Sequence, residues 1–291
     1  MRLFSANTRR RRVEIALAAV MLILAVSIAY AALVEPRWIR IVNLSLSDSP
    51  TITLAHISDV HYKGDQDYLS KVVRLISETA PHFVCITGDL VGNARFLPPV
   101  LAALEKIQAP VYAVPGNHEH WARVDLSLID ESCKKTGGGL LVNSSLKFDD
   151  DWTVVGIDDM RAGNAVIEKA FADVTIGDGG AIQDNTQGAN ESAKKSPART
   201  LYERVIFLTH CPLGVELLEE RKVALALAGH SHGGQVRLPI INALYAPQDI
   251  GPYDRGYYET PNGPLYVNPG IGTWFVPLRF LCRPEITVIT L

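Results

Sequence analysis

The sequence predicts an α/β domain built on a mixed sheet, with one apolar helix ahead of it. Three observations carry this expectation. From residue 51 onward, short apolar runs alternate with segments of helical spacing. Five of those runs, at 53–57, 83–87, 111–115, 205–208 and 224–228, each end at a residue type that binds metal. Three short strands in direct succession, at 140–142, 146–148 and 153–157, leave no length for the crossovers that a purely parallel sheet needs.

The elements follow in chain order. Residues 1–12 form a basic segment with five arginines and no acid. Residues 13–34 read as a transmembrane anchor or export signal. Within them, 15–34 is a run of twenty uncharged, mostly apolar residues. At about 1.5 Å per residue it spans about 30 Å, one hydrocarbon core. No polar face interrupts it, which argues against a buried soluble helix. Ala29-Tyr30-Ala31 offers a small-x-small cleavage site, so a cleaved signal is the competing reading. Residues 35–50 read as a linker, and 51–291 as the folded domain. Within the domain, 67–79 carries Leu69, Val72, Val73 and Ile76 at helical spacing. Helices are also expected at 98–107, 124–135 and 165–171. Residues 176–199 are rich in Gly, Ala, Ser, Asn, Asp and Lys without apolar period, and read as a flexible surface insertion, with a lid as the alternative. Further strands are expected at 236–245, 265–267 and 286–291.

Charge excludes one class of partner. The chain has 28 basic and 31 acidic residues, and the first twelve take five of the basic ones, so 23 face 31 in the remainder, a net of −8. A nucleic-acid surface is normally basic, so none is expected. A phosphorylated ligand stays admissible, because bound cations reverse the local sign. The four cysteines, Cys85, Cys133, Cys211 and Cys282, show no Cys-x-x-Cys spacing and read as free thiols.

The ends of the five runs read Asp59-Val60-His61, Gly88-Asp89, Gly116-Asn117-His118, Thr209-His210 and Gly229-His230-Ser231-His232. Open α/β sheets bind ligands at strand ends. Carboxylate, imidazole and amide oxygen together suit a pair of hard or borderline divalent cations. Asp59 and His61 are close enough in the chain to share one ion. Asp89 has two oxygens with which to bridge two. Asn117, His210, His230 and His232 complete the shells. Two cations about 4 Å apart clamp a phosphoryl group for in-line displacement and lower the pKa of a bridging water, the nucleophile. His118 is left to donate a hydrogen bond or a proton to a phosphate or leaving-group oxygen.

This order of motifs resembles the calcineurin-like metallophosphoesterase superfamily, D-x-H, G-D, G-N-H-[DE], H and G-H-x-H, with every element present. The resemblance implies a four-layer α/β/β/α sandwich with two mixed sheets. It also implies a metal-one set of Asp59, His61, Asp89 and His232, and a metal-two set of Asp89, Asn117, His210 and His230. Gly233-Gly234-Gln235-Val236-Arg237-Leu238-Pro239 and Cys282-Arg283-Pro284-Glu285-Ile286 narrow it to the YkuE/YaeI-type phosphoesterases. These are bacterial proteins with an N-terminal export or membrane segment, distantly related to UDP-2,3-diacylglucosamine pyrophosphatases of lipid A biosynthesis.

Neighbouring polar residues take structural readings. His56 and His82 flank strands, Glu119 and His120 support or cap, and Asp158-Asp159 is a strand-end turn.

The expected protein is therefore a binuclear-metal phosphoesterase acting on a phosphodiester or pyrophosphate. Its substrate is expected to be membrane-associated or lipid-linked, such as UDP-2,3-diacylglucosamine. A phosphomonoesterase, or a cyclic-nucleotide or envelope phosphodiesterase, is the alternative within the superfamily. An inactive, membrane-tethered metal-binding protein is the alternative of another class. Manganese is the favoured ion, with zinc, iron or nickel behind it. No obligate protein partner is expected. Arg9–Arg12 on the cytoplasmic side predicts a single-pass protein of the bacterial inner membrane with its domain on the outer face. UDP-2,3-diacylglucosamine is cytoplasmic, so that substrate requires the opposite orientation.

Overall fold

The computed structural model describes residues 2–174 and 200–291. The segment 176–199, expected as an insertion, lies outside the described residues. Helix α1 (Arg2–Leu33) is followed by strand β1 (Arg40–Ser45), β2 (Thr53–Ile57), α2 (Gln66–Glu78), β3 (Phe83–Ile86), α3 (Leu97–Leu104) and β4 (Val111–Ala113). Then come α4 (Asn117–Trp121), α5 (Leu126–Lys135), β5 (Gly139–Leu140), β6 (Ser144–Lys147), β7 (Thr153–Gly156), α6 (Ile167–Ala170), β8 (Thr200–Leu208) and β9 (Arg221–Ala228). The chain closes with β10 (Arg237–Leu238), β11 (Asn242–Ala243), β12 (Gly256–Thr260), β13 (Gly263–Val267) and β14 (Glu285–Thr290).

Two six-stranded sheets result, in the orders β1-β14-β2-β3-β4-β5 and β12-β13-β9-β8-β7-β6. Both are mixed. In the first only β14 against β2 is antiparallel; in the second, β12 against β13 and β6 against β7. The two-residue side-chain period of a strand divides its residues between two cores. Phe83 and Cys85 of β3 face the second sheet, where they meet Ile206 and Leu208 of β8. Val84 and Ile86 point the other way, onto α2, α3 and α5. Val205 and Phe207 of β8 likewise face outward, onto α6 and the 3-10 turn Pro212–Leu218. Three cores separate four layers, α/β/β/α. The helices form where the sequence caps them: Asp65 accepts from Tyr68 N–H at the start of α2, and Asp125 from Ser127 N–H at the start of α5.

The structure corrects the chain between the apolar helix and the domain. Residues 35–50 are not a linker. Arg40–Ser45 adds parallel to β14 as the edge strand β1. Arg40 Nε donates to the buried Glu285 carboxylate at 2.8 Å. Arg283 lies over the Trp38 ring at 4.1 Å and donates to the Trp38 and Ile39 carbonyls. The 282–286 motif is thus the clamp that holds this segment down. The strand expected at 236–245 is also corrected. It is two short strands, β10 and β11, in a hairpin of their own. Pro239 lacks the N–H for a ladder, and Ile240 and Asn242 turn at φ of 75° and 66°. The expected helix 98–107 ends at Leu104, and β12 is an additional strand.

Helix α1 stands clear of the domain for most of its length, with Ile15 and Leu22 exposed. It is long and apolar enough to cross a membrane.

Candidate metal centre

The central strands of both sheets end at one place. Leaving β2, β3 and β4, the chain turns through Asp59 and His61, through Asp89, and through Asn117 and His118. Leaving β8 and β9, it turns through His210 and through His230 and His232. The turns are sharp. Asp59, His61, Asp89, His230 and His232 all have positive φ, between 40° and 65°. Each such non-glycine residue costs on the order of 1 kcal/mol, and persists only where its surroundings hold it. Gly88, at φ 87°, lets two of these loops touch; a Cβ there would lie 2.6 Å from the Gly116 nitrogen.

The donor atoms form two adjoining sets. In one, His232 Nε2 is 3.3 Å from Asp59 Oδ1 and 3.1 Å from His61 Nε2. In the other, His210 Nε2 is 3.0 Å from Asn117 Oδ1 and 3.1 Å from His230 Nδ1. Asp89 Oδ2 stands between them, 3.3 Å from His61 Nε2 and 3.4 Å from His210 Nε2. All seven side chains that the sequence singles out for metal are thus brought together. Two donors on one cation, each about 2.1 Å from it and at roughly a right angle or a little more, lie about 3.0–3.4 Å apart. The observed spacings match. Asp59 Oδ1 is buried yet lacks a hydrogen-bond partner, as an oxygen reserved for a cation would. The residues present therefore fit a pair of divalent cations.

Supporting contacts aim these donors. The His210 Nδ1–H bonds the Thr87 carbonyl at 2.6 Å, which turns Nε2 to the site. Asp59 Oδ2 accepts the His230 backbone N–H at 2.9 Å. His230 Nε2 lies 3.1 Å from Asp249 Oδ1. Asp249 is a residue that the sequence reading missed; it stands alone in a proline-containing loop, and nothing local marks it. His118 lies beside the first set, its ring centroid 4.7 Å from that of His61. Its backbone N–H donates to Asp89 Oδ1 at 2.9 Å.

Above the donors opens a cleft of about 950 Å³. Its floor is polar, with Asp89, Asn117, His118, His230 and His232. Its walls are largely apolar, with Trp121, Tyr245, Trp274, Phe275, Val276 and Leu278. Arg161 enters from one side, Nε 3.0 Å from Asp249 Oδ2.

Residues 52–234 match the calcineurin-like phosphoesterase family, over more than half of the chain. The chain belongs to that family. Among its relatives, the uncharacterized metallophosphoesterase YkuE of Bacillus subtilis is 31% identical over 249 residues, covering 81% of this chain and 76% of YkuE. The phosphodiesterase YaeI of Escherichia coli is 27% identical over 269 residues, covering 88% of this chain and 90% of YaeI. A transmembrane protein with metallophosphoesterase domain from Bos taurus is 26% identical, covering 83% of this chain and 53% of that protein. The protein is a metal-dependent phosphoester hydrolase.

The electrostatics of this metallophosphoesterase centre follow from burial and close pairing. Burial alone would raise the Asp89 carboxyl, but His210 and His61 beside it hold it well below the usual range. Burial works against the His210 cation, and the Asp89 carboxylate outweighs it. Burial pushes Asp59 up, and pushes His118 down to about 4. At neutral pH the His118 ring is therefore neutral, with one N–H to donate.

The remaining polar neighbours are structural. His56 is fully buried against Thr87 Oγ1 and pushed down to about 3 by burial. His82 Nδ1 accepts from Thr53 N–H. Asp158 accepts from His120 Nε2 at 2.7 Å, and both Asp158 and Asp159 accept backbone N–H groups of the turn that follows. Glu119 does most. Its buried carboxylate accepts the N–H groups of Asp89, Val91 and Gly116, tying the β3 and β4 loops together. Glu119→Ala leaves three buried donors unpaired, and is expected to cost about 3 kcal/mol or more. Glu119→Gln, which can still accept two of them, should lose roughly half as much. Thermal unfolding of the two variants measures this. Equal stabilities would show that solvent reaches these N–H groups.

Proposed function

We propose that the protein hydrolyses a phosphodiester or pyrophosphate bond with two divalent cations, on a membrane-associated substrate. The observation that carries this is the position of Asp89 Oδ2, within 3.4 Å of both donor sets. Asp59, His61, His232 and Asp89 would hold one cation, and Asp89, Asn117, His210 and His230 the other. When bound, such a pair neutralises phosphate oxygens and lowers the pKa of a water held between them. The residues of the chain do the rest. The His210–Thr87 bond and the His230–Asp249 pair keep the imidazoles aimed inward. His118, at the cleft edge of the centre, donates its N–H to a phosphoryl or leaving-group oxygen. Trp121, Tyr245 and Trp274 exclude water around the reacting group.

Manganese is the ion we favour. The apolar walls above a polar floor support a substrate that carries both phosphate and hydrocarbon: an envelope phosphodiester if the domain faces outward, UDP-2,3-diacylglucosamine if it faces the cytoplasm. The printed name of YaeI, a phosphodiesterase, supports the diester reading. The long apolar helix α1 and the transmembrane relative support a membrane anchor. Arg9–Arg12, in α1 just before its apolar run, support an orientation with the domain outside, and the bacterial relatives support an inner-membrane location. Protease added to intact spheroplasts should then digest the domain; protection until lysis would place it in the cytoplasm.

Hydrolysis of bis-p-nitrophenyl phosphate by the full chain in detergent tests the chemistry. Activity should require Mn²⁺, vanish with a chelator and return on readdition. Metal binding without turnover of any phosphoester would mean a tethered metal-binding protein instead.

A further inference from the structure

Beyond α1, large exposed apolar side chains gather in two short segments. One is the β10–β11 hairpin and its exit, where Ile240 is 100% and Ile241 65% exposed, with Leu244 and Tyr245 following. The other is the loop 273–281, where Phe275 is 85% exposed and Trp274 stands beside it. The two are one surface. Tyr245 and Trp274 stack with ring centroids 6.4 Å apart. Gln235 Nε2 donates to the Val276 carbonyl at 3.0 Å, and the Arg237 and Phe280 backbones bond across at 2.9 Å.

This surface is joined to the end of α1. The Arg279 N–H donates to the Ala31 carbonyl at 2.9 Å. Phe280 meets Tyr30 edge to face at 6.3 Å. The Glu35 carboxylate accepts the N–H groups of Leu281 and Cys282. Ala31 belongs to the last turn of the apolar run. A chain that leaves a bilayer there must carry residues 279–281 at the depth of the membrane surface, together with whatever is bonded to them. The side chains nearby suit that depth. Trp38 lies under Arg283, and Lys63 Nζ holds the Thr273 carbonyl at 2.7 Å. Aromatic and basic residues of this kind gather at the headgroup level. Contiguous exposed apolar patches are uncommon on soluble surfaces and mark interaction sites.

We propose that the hairpin tip and the 273–281 loop are a lipid-facing surface, seated in the leaflet beside the end of α1. The cleft above the metal centre opens onto that leaflet. Leu244, Tyr245, Trp274, Phe275 and Val276 belong to the cleft wall as well as to the exposed surface. A phosphoester that carries a hydrocarbon chain therefore reaches the centre from the bilayer, its chain against Tyr245 and Trp274 and its phosphate at the floor. This deepens the proposed function, and rests on the reading of α1 as a membrane anchor.

Depth-dependent quenching of the full chain in lipid vesicles tests the surface and the anchor separately. The four native cysteines are buried, so a fluorophore goes to an introduced one. The sites are Leu22→Cys in α1, Ile240→Cys at the hairpin tip, and Ser49→Cys at the opposite end of β2 as the aqueous control. Lipids brominated along the chain should quench Leu22→Cys and, more shallowly, Ile240→Cys, and leave Ser49→Cys untouched. Quenching at Leu22→Cys with none at Ile240→Cys would overturn the surface and keep the anchor, and shielding of that label from aqueous iodide would then indicate a protein partner. Quenching at neither overturns both. Quenching at Ile240→Cys alone would show a lipid-facing surface without the anchor, and would overturn the seating beside α1.

Activity gives a second readout. Ile240→Glu with Ile241→Glu alters side chains outside the cleft. Hydrolysis of soluble bis-p-nitrophenyl phosphate should stay within about twofold, while hydrolysis of an alkyl phosphodiester held in vesicles should fall by about tenfold or more. Equal rates on the vesicle substrate, or equal loss on both substrates, would overturn the proposal.

Discussion

Asp89→Ala is expected to abolish hydrolysis and to loosen both cations at once. Asp89 Oδ2 is within 3.4 Å of one imidazole from each donor set, and among the seven donors this carboxylate alone faces both sets. Its Oδ1 also accepts the His118 N–H, so the same truncation frees the loop that carries the expected hydrogen-bond donor. A carboxylate placed to serve both donor sets would contribute several kcal/mol of transition-state charge stabilisation with cations bound, so turnover should fall by about 10³-fold or more on its removal. Metal analysis of the purified variant should find clearly less than the wild-type content. Asp89→Asn separates charge from shape: it preserves an oxygen for His118 N–H but removes the negative charge, and should still fail. Full metal content in Asp89→Ala would show that each cation is held by its own set without the bridge.

His118→Ala should do the opposite, keeping the metal and losing turnover by about 10²–10⁴-fold. The ring lies at the edge of the centre, with its centroid 4.7 Å from that of His61 and 5.1 Å from that of Trp121. Burial lowers its pKa to about 4, so its contribution at neutral pH is an N–H aimed at developing charge and not a cation. The loss should therefore fall on kcat more than on KM. His118→Asn, which retains an N–H donor, should recover part of it. Metal depletion in His118→Ala would instead mean that His118 is a ligand. A loss confined to KM would reduce it to a substrate contact.

The donor residues were legible because each lies where a strand pattern stops. A run such as 53–57 followed by Asp-x-His is a local signal, and five of them in order leave little freedom about where the chain returns. The helices were legible from spacing and caps, as in α2, where Leu69, Val72 and Ile76 are buried and Asp65 closes the first turn. Strand β1 was not. Its sequence, Arg-Ile-Val-Asn-Leu-Ser, has no clean alternation, and its partner β14 lies 245 residues away. Strand β12 could have been found: Pro261-Asn262-Gly263 between Thr260 and Pro264 is a hairpin turn with β-prone residues on the near side. At 237–243 the apolar content suggests one strand, but Pro239 and the positive φ of Ile240 and Asn242 fold it into a hairpin.

Residue chemistry and local periodicity were enough to say which side chains meet a metal, and that they do so at strand ends. Spacing, support and surroundings were not, because they arise between segments far apart in the chain. His210 meets Asn117 across 93 residues, and Glu35 meets Cys282 across 247. Packing of the two sheets brings the donors to about 3 Å of one another. Packing also places Asp249 behind His230, Glu119 beneath two loops, and an apolar surface next to the end of α1. A local sequence window contains one side of each such contact, and burial and distance belong to the pair.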